Sequence, residues 1–538
     1  MPSIRKLLGF GRKDKSLSHR LPRKVPVDDN CAQQGDTRSN NRLPPELLSK
    51  IFLLIADTQQ ESTPHSQSHP GLRNLLVQVC RYWRAVTINT PLFWTDILIT
   101  RPPPHPLAEI YLARSRGCLL DIHIDMTTPY IQGIEPLDAT PQVNRALETL
   151  KSIVAHGGSL DRWRSLSIHT KVPQVLLEVT GFINLAPTPA LEHLSLRWKA
   201  SARTVEQQEL ECLADDSNQL SGTYSLSHGP GRPHLRHVDL DGMPSAFVFT
   251  RKSVFLSNLT KLRLVCAHTL YTIENISTLL AANPELEHLT LDMGLSSTTS
   301  AGAVRTGPHQ VPLPRLRYFS LNATNAYDWG VFLLQIVDAP NLETFEVHAN
   351  TYSTLNDSDP ATVPFICIGR RNGALLHNGT NNVTGYPPVY GTPFPALKHF
   401  NLKHAHTASR QSIKAMLVAY PTVTEVTANF VVLSVLSEDP QLLPNLTHLT
   451  YSDTRRSNFP GTMQRLALSR VRAGRRLQSV TIEFTGRAAP WFYNDSEDIP
   501  LDYRTPLENL VGKLDVYDRL PPYEPDSDVS QSSSYGSA

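Results

Sequence analysis

The sequence lacks the short motifs that mark familiar reaction centres. It has no G-x-S-x-G nucleophile elbow, no P-loop and no dinucleotide fingerprint, since Gly9-Phe-Gly11 is too short for one. No cysteine has the sequence context of a nucleophile that transfers a group. We therefore expect that the protein is not an enzyme, that it uses no cofactor and that its function lies in binding surfaces.

Metal-ligand patterns are also missing. The densest histidine cluster, His399, His404 and His406, has no cysteine or carboxylate beside it at ligand spacing, so we predict no metal site. The six cysteines never form a C-x-x-C pair, which favours a reduced protein and a cytoplasmic, possibly nuclear, location.

Long apolar runs and a large net charge are absent as well. The longest apolar run near the start covers residues 51–56, whereas a membrane-spanning helix needs roughly 20 residues, so we predict no membrane span. A formal net charge of +2 predicts no general affinity for nucleic acid.

Charge is concentrated only in residues 1–24, which hold eight Lys or Arg against one acid. Interleaved apolar residues there leave a weak membrane-surface helix or a nuclear address as alternatives. We favour a disordered basic tail over residues 1–40, and a second disordered tail over 521–538.

A short apolar repeat organises most of the chain. Its pattern is apolar-x-x-apolar-x-apolar, often after a proline, as in Pro284-Glu-Leu286-Glu-His-Leu289-Thr-Leu291. From residue 235 onward most copies are 23 to 31 residues apart, close to the period of leucine-rich repeats. The last two apolar residues of each copy would share one face of a short strand. Stretches between copies, such as residues 272–282, have helical spacing.

One strand and one helix per repeat cannot bury a core alone, so we predict stacked repeats over residues 105–515. The expected fold class is α/β, a curved leucine-rich-repeat-like solenoid with a parallel sheet on its concave face and helices outside. Insertions at 199–232 and 350–394 explain two long steps in the repeat. A generic α/β domain is the alternative, but it would not require the motif to return so often.

The concave face is the predicted surface for a protein partner. Strand residues that alternate with the buried apolar pair point away from the core. They carry both signs of charge, which favours a protein partner over nucleic acid. The predicted row comprises Arg197, Asp239, Arg263, Asp292, Asn322, Glu346, Asn401 and Asn429.

A different pattern occupies residues 42–95. Leu43-Pro44-Pro45-Glu46 makes a stiff extended start, and the apolar residues that follow recur at helical spacing through Ile51-Phe52. A second helical stretch carries the run Val79-Cys80-Arg81-Tyr82-Trp83-Arg84, and Pro91-Leu-Phe-Trp94 closes the unit. Residues 57–71 have the composition of a loop between the two stretches.

Together these features resemble the F-box, a helical module that docks on a Skp-type adaptor. An F-box followed by irregular leucine-rich repeats resembles the large fungal class of F-box proteins. The resemblance implies a substrate-recognition subunit of a Skp–cullin–F-box type ubiquitin ligase, which would bind the adaptor, through it a cullin, and an unknown target protein. The alternative is a non-catalytic leucine-rich-repeat scaffold outside any ubiquitin ligase. The positions that match the adaptor-binding motif are Leu43, Pro44, Leu47, Ile51, Val79, Cys80 and Trp83.

Overall fold

The computed structural model describes fourteen stretches of the chain: 43–62, 70–127, 139–183, 187–198, 234–243, 256–265, 272–293, 310–322, 327–348, 394–406, 408, 410–453, 459–484 and 504–518. The predicted tails (1–40 and 521–538) and the predicted insertion 199–232 lie outside these stretches, as does all of the insertion 350–394 except Phe394, which is buried. None of the described helices is long and apolar enough to cross a membrane.

The described chain begins with a helical unit. Helix α1 (Pro45–Ser62) begins at Pro45, a position where the helix needs no backbone N–H donor. Glu46 complements the positive end of the helix dipole. Helices α2 (Pro70–Val79) and α3 (Arg81–Asn89) follow, and then a short 3-10 helix (Pro91–Trp94). These elements enclose a core of their own, made of Leu48, Phe52, Leu76, Val86, Phe93 and Trp94.

Two sequence-based predictions for this unit are wrong. The predicted loop over residues 57–71 is helical at both ends, because α1 continues to Ser62 and α2 begins at Pro70. The second helical stretch is also broken at Cys80, whose backbone is extended (φ −158°, ψ 170°). The Cys80 sulfur accepts the backbone N–H of Trp83 at 3.4 Å, so this residue caps α3 instead of continuing α2.

Fourteen strands of the described residues form one large sheet, in which each neighbouring pair is parallel and the strand order follows the chain. Two further short strands, β8 (Val311–Pro312) and β10 (Val337–Asp338), pair with each other. The strands of the large sheet are β1 (Asp96–Ile99), β2 (Leu120–Asp125), β3 (Trp163–Thr170), β4 (His193–Trp198), β5 (His237–Asp241), β6 (Lys261–Val265), β7 (His288–Asp292), β9 (Tyr318–Asn322), β11 (Thr344–His348), β12 (His399–His404), β13 (Glu425–Ala428), β14 (His448–Asp453), β15 (Ser479–Phe484) and β16 (Lys513–Asp518).

Helices lie between many of these strands. Those after the first unit are α4 (Pro106–Ser115), α5 (Thr140–Ala155), α6 (Pro173–Ile183), α7 (Ile273–Ala281), α8 (Tyr327–Ile336), α9 (Arg410–Ala419), α10 (Phe430–Glu438), α11 (Phe459–Arg472) and α12 (Arg504–Leu510). Helix α7 falls within the predicted helical stretch 272–282, and its Ile276, Leu279 and Leu280 are fully buried. The mixed α/β class, with a helical N-terminal region and a large parallel sheet, is confirmed.

The apolar pair of each repeat forms the core of the sheet. Leu289 and Leu291 of β7 are both buried, and they stand in register with Leu262 and Leu264 of β6. Helical residues such as Ile276 belong to the same buried cluster, so the paired apolar side chains point toward the helices. The residues that alternate with them therefore point to the opposite face of the sheet.

The helical unit is joined to the sheet by direct contacts. The Arg73 guanidinium donates to the backbone oxygen of Asp96 at 2.9 Å and pairs with its carboxylate at 3.3 Å. The same guanidinium lies 5.1 Å from the ring centroid of Tyr111, and that ring is 5.1 Å from the ring of Trp94. Tyr111 packs against both buried clusters and so links the two parts of the protein.

Candidate functional site

Helix α1 has a buried side and an exposed apolar side. Leu48 and Phe52 are only 2% exposed and belong to the core of the helical unit. Leu47 and Ile51, four residues apart, are 48% and 41% exposed, and Leu54, one turn further on, is 62% exposed. Exposed apolar side chains that share one face of a helix make that face a candidate interaction surface.

The other predicted adaptor contacts lie just before α1 and near the junction of α2 and α3. Leu43 and Pro44 are exposed just before α1, and the Leu43 carbonyl accepts the Tyr82 hydroxyl at 2.6 Å, which ties the start of α1 to α3. Val79 and Cys80 are exposed where α2 meets α3. Six of the seven predicted positions are therefore solvent-exposed.

Trp83 is the exception among the seven. Its side chain is half-buried, and its ring centroid lies 5.0 Å from that of Phe52, so it contributes to the core of the unit. Conversely, Leu54 and Leu75 are each 62% exposed but were not among the predicted contacts. Helical spacing alone could have placed Leu54 beside Leu47 and Ile51. We call the set of exposed apolar residues Leu43, Pro44, Leu47, Ile51, Leu54, Leu75 and Val79, which come from the start of α1, α1 itself and α2, the apolar patch.

The helical unit therefore has its own core and, outside it, exposed apolar side chains. The family model described as F-box-like matches residues 40–100, which include α1 to α3, the 3-10 helix and strand β1. The chain therefore contains an F-box-like domain, and F-box domains typically bind Skp-type adaptors. Among curated proteins, no sequence gives a significant match to this chain.

The predicted polar row on the sheet falls into two neighbouring rows. Strand pairing aligns Asp239 with Arg263, and Glu346 with Asn401. It also aligns Asp292 with Asn322, and this pair lies two residues further along the strands than the other two pairs. Arg197 belongs to this second row, since it pairs with Asp241, which the sequence did not suggest.

Asn429 does not lie on the polar face. It follows strand β13 and its side-chain oxygen accepts the backbone N–H of Val432 at 3.1 Å, so it caps helix α10. It is fully buried and therefore cannot meet a partner in this structure. Side-chain alternation does not extend to Asn429 because the strand ends at Ala428, one residue earlier.

Four charged side chains on strands β4, β5 and β6 form a network on the polar face. Arg197 and Arg263 both pair with the Asp239 carboxylate, and the Arg263 contact measures 2.8 Å. Arg263 also approaches the Asp241 carboxylate at 3.5 Å. Burial raises the pKa of Asp241, against the opposing effect of Arg263. All four side chains are 19% to 33% exposed, so the network is preorganised yet still reachable by a partner.

A second polar cluster joins strands β11 and β12. Ligand atoms of Glu346, His348 and His404 all lie within 4.8 Å of one another. The sequence shows no carboxylate beside His404, but Glu346 approaches it from the adjacent strand. It is 8% exposed and accepts the Tyr318 hydroxyl as well as His348.

Burial and neighbouring groups act in opposite directions on this cluster. Burial tends to raise the pKa of Glu346, but hydrogen bonds from His348 and Tyr318 and the charge of Lys403 outweigh it and bring the pKa to about 2. Burial, helped by His348, lowers the pKa of His404 to about 4. The carboxylate is therefore ionised and His404 is neutral at pH 7. The Glu-x-His spacing on one strand was the available sequence signal for this cluster.

Proposed function

We propose that this protein is a substrate-recognition subunit of a Skp–cullin–F-box type ubiquitin ligase. The observation that carries the proposal is the apolar patch on the F-box-like domain at residues 40–100. The domain already has its own core, so the patch is available to a partner. A Skp-type adaptor, which would in turn bind a cullin, is the partner that this kind of domain typically takes.

The remainder of the chain would hold the target. Parallel strands that follow chain order, with helices between them, support a stacked leucine-rich-repeat-like solenoid with the polar face as its binding surface. In this proposal the chain itself is not an enzyme. It raises the effective concentration of the target near the ubiquitin-charged enzyme by tethering both.

Co-purification tests the proposal directly. The tagged protein, expressed in the organism from which it comes, should co-purify with both the adaptor and the cullin. Recovery of the adaptor without cullin would favour the alternative of a scaffold outside any ubiquitin ligase. Recovery of neither protein would contradict the adaptor-docking role of the F-box-like domain.

The charge network provides a test of the target-binding face. We expect Asp239→Asn combined with Arg263→Gln to reduce capture of target proteins by about tenfold, since losing one charge-assisted contact of ~1.4 kcal/mol has that effect. Asp239→Asn keeps the side-chain size, Arg263→Gln shortens the side chain, and both substitutions remove the charge. Quantitative proximity labelling of full-length wild type and variant would measure the change.

A matched control for that variant is Glu343→Gln with Lys398→Gln. These two side chains form an ion pair at 3.0 Å that lies just ahead of strands β11 and β12 and is more exposed than the network. The control should retain the partners because this pair is outside the polar rows. Equal partner loss in both double variants, or no loss in either, would argue against a specific role for the network.

A further inference from the structure

We propose that Glu346, His348 and His404 form a binding site for a divalent transition-metal ion, with Zn²⁺ the best match. Two imidazoles and one carboxylate are ligands that Zn²⁺ prefers. Their ligand atoms are already gathered within 4.8 Å on the polar face of the sheet. The site does not depend on the adaptor-docking role of the F-box-like domain.

A β-bulge places the third ligand. Strand pairing aligns Glu346 with Asn401 but His348 with His404, so β12 has one more residue than β11 between these two pairs. With regular pairing, Lys403 would stand opposite His348. The extra residue instead brings the His404 ring beside the His348 ring, with centroids 4.2 Å apart and planes 20° apart. Bulges often re-aim a side chain at functional positions.

The distances suit a small tetrahedral ion after a modest adjustment of side chains. Metal–ligand bonds of about 2.0–2.2 Å imply ligand atoms roughly 3.3 Å apart. His348 Nε2 and Glu346 Oε1 are 3.1 Å apart, so this pair already has the required separation. Rotation of the His404 ring, which is half-buried, would complete the set.

The surrounding residues orient the carboxylate. The Tyr318 hydroxyl donates to Glu346 Oε2, and this leaves Oε1 directed toward His348. A hydrogen bond to the second oxygen of a metal-binding carboxylate is a common way to fix its orientation. Three protein ligands leave a fourth position open, and the His348 side chain is 25% exposed, so water or a partner's side chain could occupy it.

Lys403 is the competing cation. Its ammonium lies 3.8 Å from Glu346 Oε1, where the metal ion would bind. The side chain is 35% exposed and can move into solvent. The alternative is that the cluster is a hydrogen-bonded network without a metal. A variant of Lys403 distinguishes the two possibilities. A metal ion should bind more tightly when this charge is removed, whereas a network without a metal should show no zinc affinity at all.

The test is a zinc titration of full-length protein that has been stripped with a chelator. Calorimetry and metal analysis should show one bound Zn²⁺ that is lost, or weakened at least tenfold, in His348→Ala, His404→Ala and Glu346→Gln. Lys403→Met should bind Zn²⁺ more tightly than wild type. His399→Ala is the matched control, since His399 lies on the same strand but instead contacts the Thr427 hydroxyl at 3.0 Å.

Thermal unfolding would establish that each variant is folded, and Glu346→Gln, which preserves side-chain shape, remains informative where a histidine variant does not fold. The proposal is overturned when wild type binds no zinc, or when binding persists unchanged in the three ligand variants. It is also overturned when His399→Ala loses zinc to the same extent, or when Lys403→Met fails to increase the affinity.

Discussion

Leu47→Ala combined with Ile51→Ala should weaken adaptor binding by about a hundredfold and leave the protein folded. Both side chains are more than 40% exposed, so their removal takes little from the core of the helical unit. In a complex they would become buried, and the loss of two such apolar contacts amounts to about 3 kcal/mol. Titration of purified adaptor against wild type and variant measures the difference.

The control for this experiment uses apolar residues that are equally exposed elsewhere. Leu107 on α4 and Val418 on α9 are 49% and 54% exposed, and both lie outside residues 40–100. Leu107→Ala with Val418→Ala should leave adaptor binding unchanged. Undiminished binding by the Leu47/Ile51 variant, with its fold intact, would remove the docking assignment from this face of α1.

The Leu43–Pro44 segment gives an independent check of the same surface. Leu43→Ala with Pro44→Ala removes two exposed side chains but keeps the Leu43 carbonyl that accepts the Tyr82 hydroxyl. The tie between the start of α1 and α3 should therefore survive, while adaptor binding falls. Binding equal to wild type would restrict the docking surface to the helices.

Local spacing explains why so much of the fold could be predicted. The pair Leu289 and Leu291 specifies a strand with one buried face, because side chains alternate along a strand. Helical spacing within residues 272–282 specifies α7 in the same way. Both signals need only neighbouring residues, and the structure has a strand and a helix at these positions.

The finer features depend on contacts between segments and could not be predicted. The position of His404 beside His348 results from a bulge, and nothing in the β12 sequence marks its extra residue. The cap at Asn429 depends on a strand that ends one residue earlier than the repeat suggests. The break at Cys80 could not be predicted because apolar residues keep their helical spacing from α2 into α3.

Arg470 is a further feature that sequence alone conceals, and it leads to a prediction about stability. On α11 it stands among basic residues that suggest a solvated helix end, yet it is fully buried. Its guanidinium donates to the carbonyls of Leu442, Leu443 and Leu446 at 3.1 to 3.2 Å. These residues form the connection between α10 and β14.

These hydrogen bonds meet the chain at a point of unusual backbone geometry. Leu443 has a positive φ of 50°, a conformation that residues other than glycine rarely adopt without support. Burial lowers the pKa of Arg470 to about 10, so the guanidinium is still protonated at pH 7. Its partners are neutral carbonyls, and removing the guanidinium leaves buried acceptors without this donor.

We expect Arg470→Met to destabilise this segment by about 3 kcal/mol, since each buried acceptor left unsatisfied costs about 1–3 kcal/mol and loss of the buried charge offsets part of the total. Arg470→Lys should be intermediate, because one ammonium cannot reproduce the planar fork of donors. Amide hydrogen exchange should show about a hundredfold loss of protection near residues 439–453. Arg472→Met on the exposed side of the same helix is the control and should change protection little. Unchanged exchange in Arg470→Met would mean that the connection is held by its own backbone contacts, such as the Leu446 N–H to Leu443 carbonyl bond at 3.0 Å.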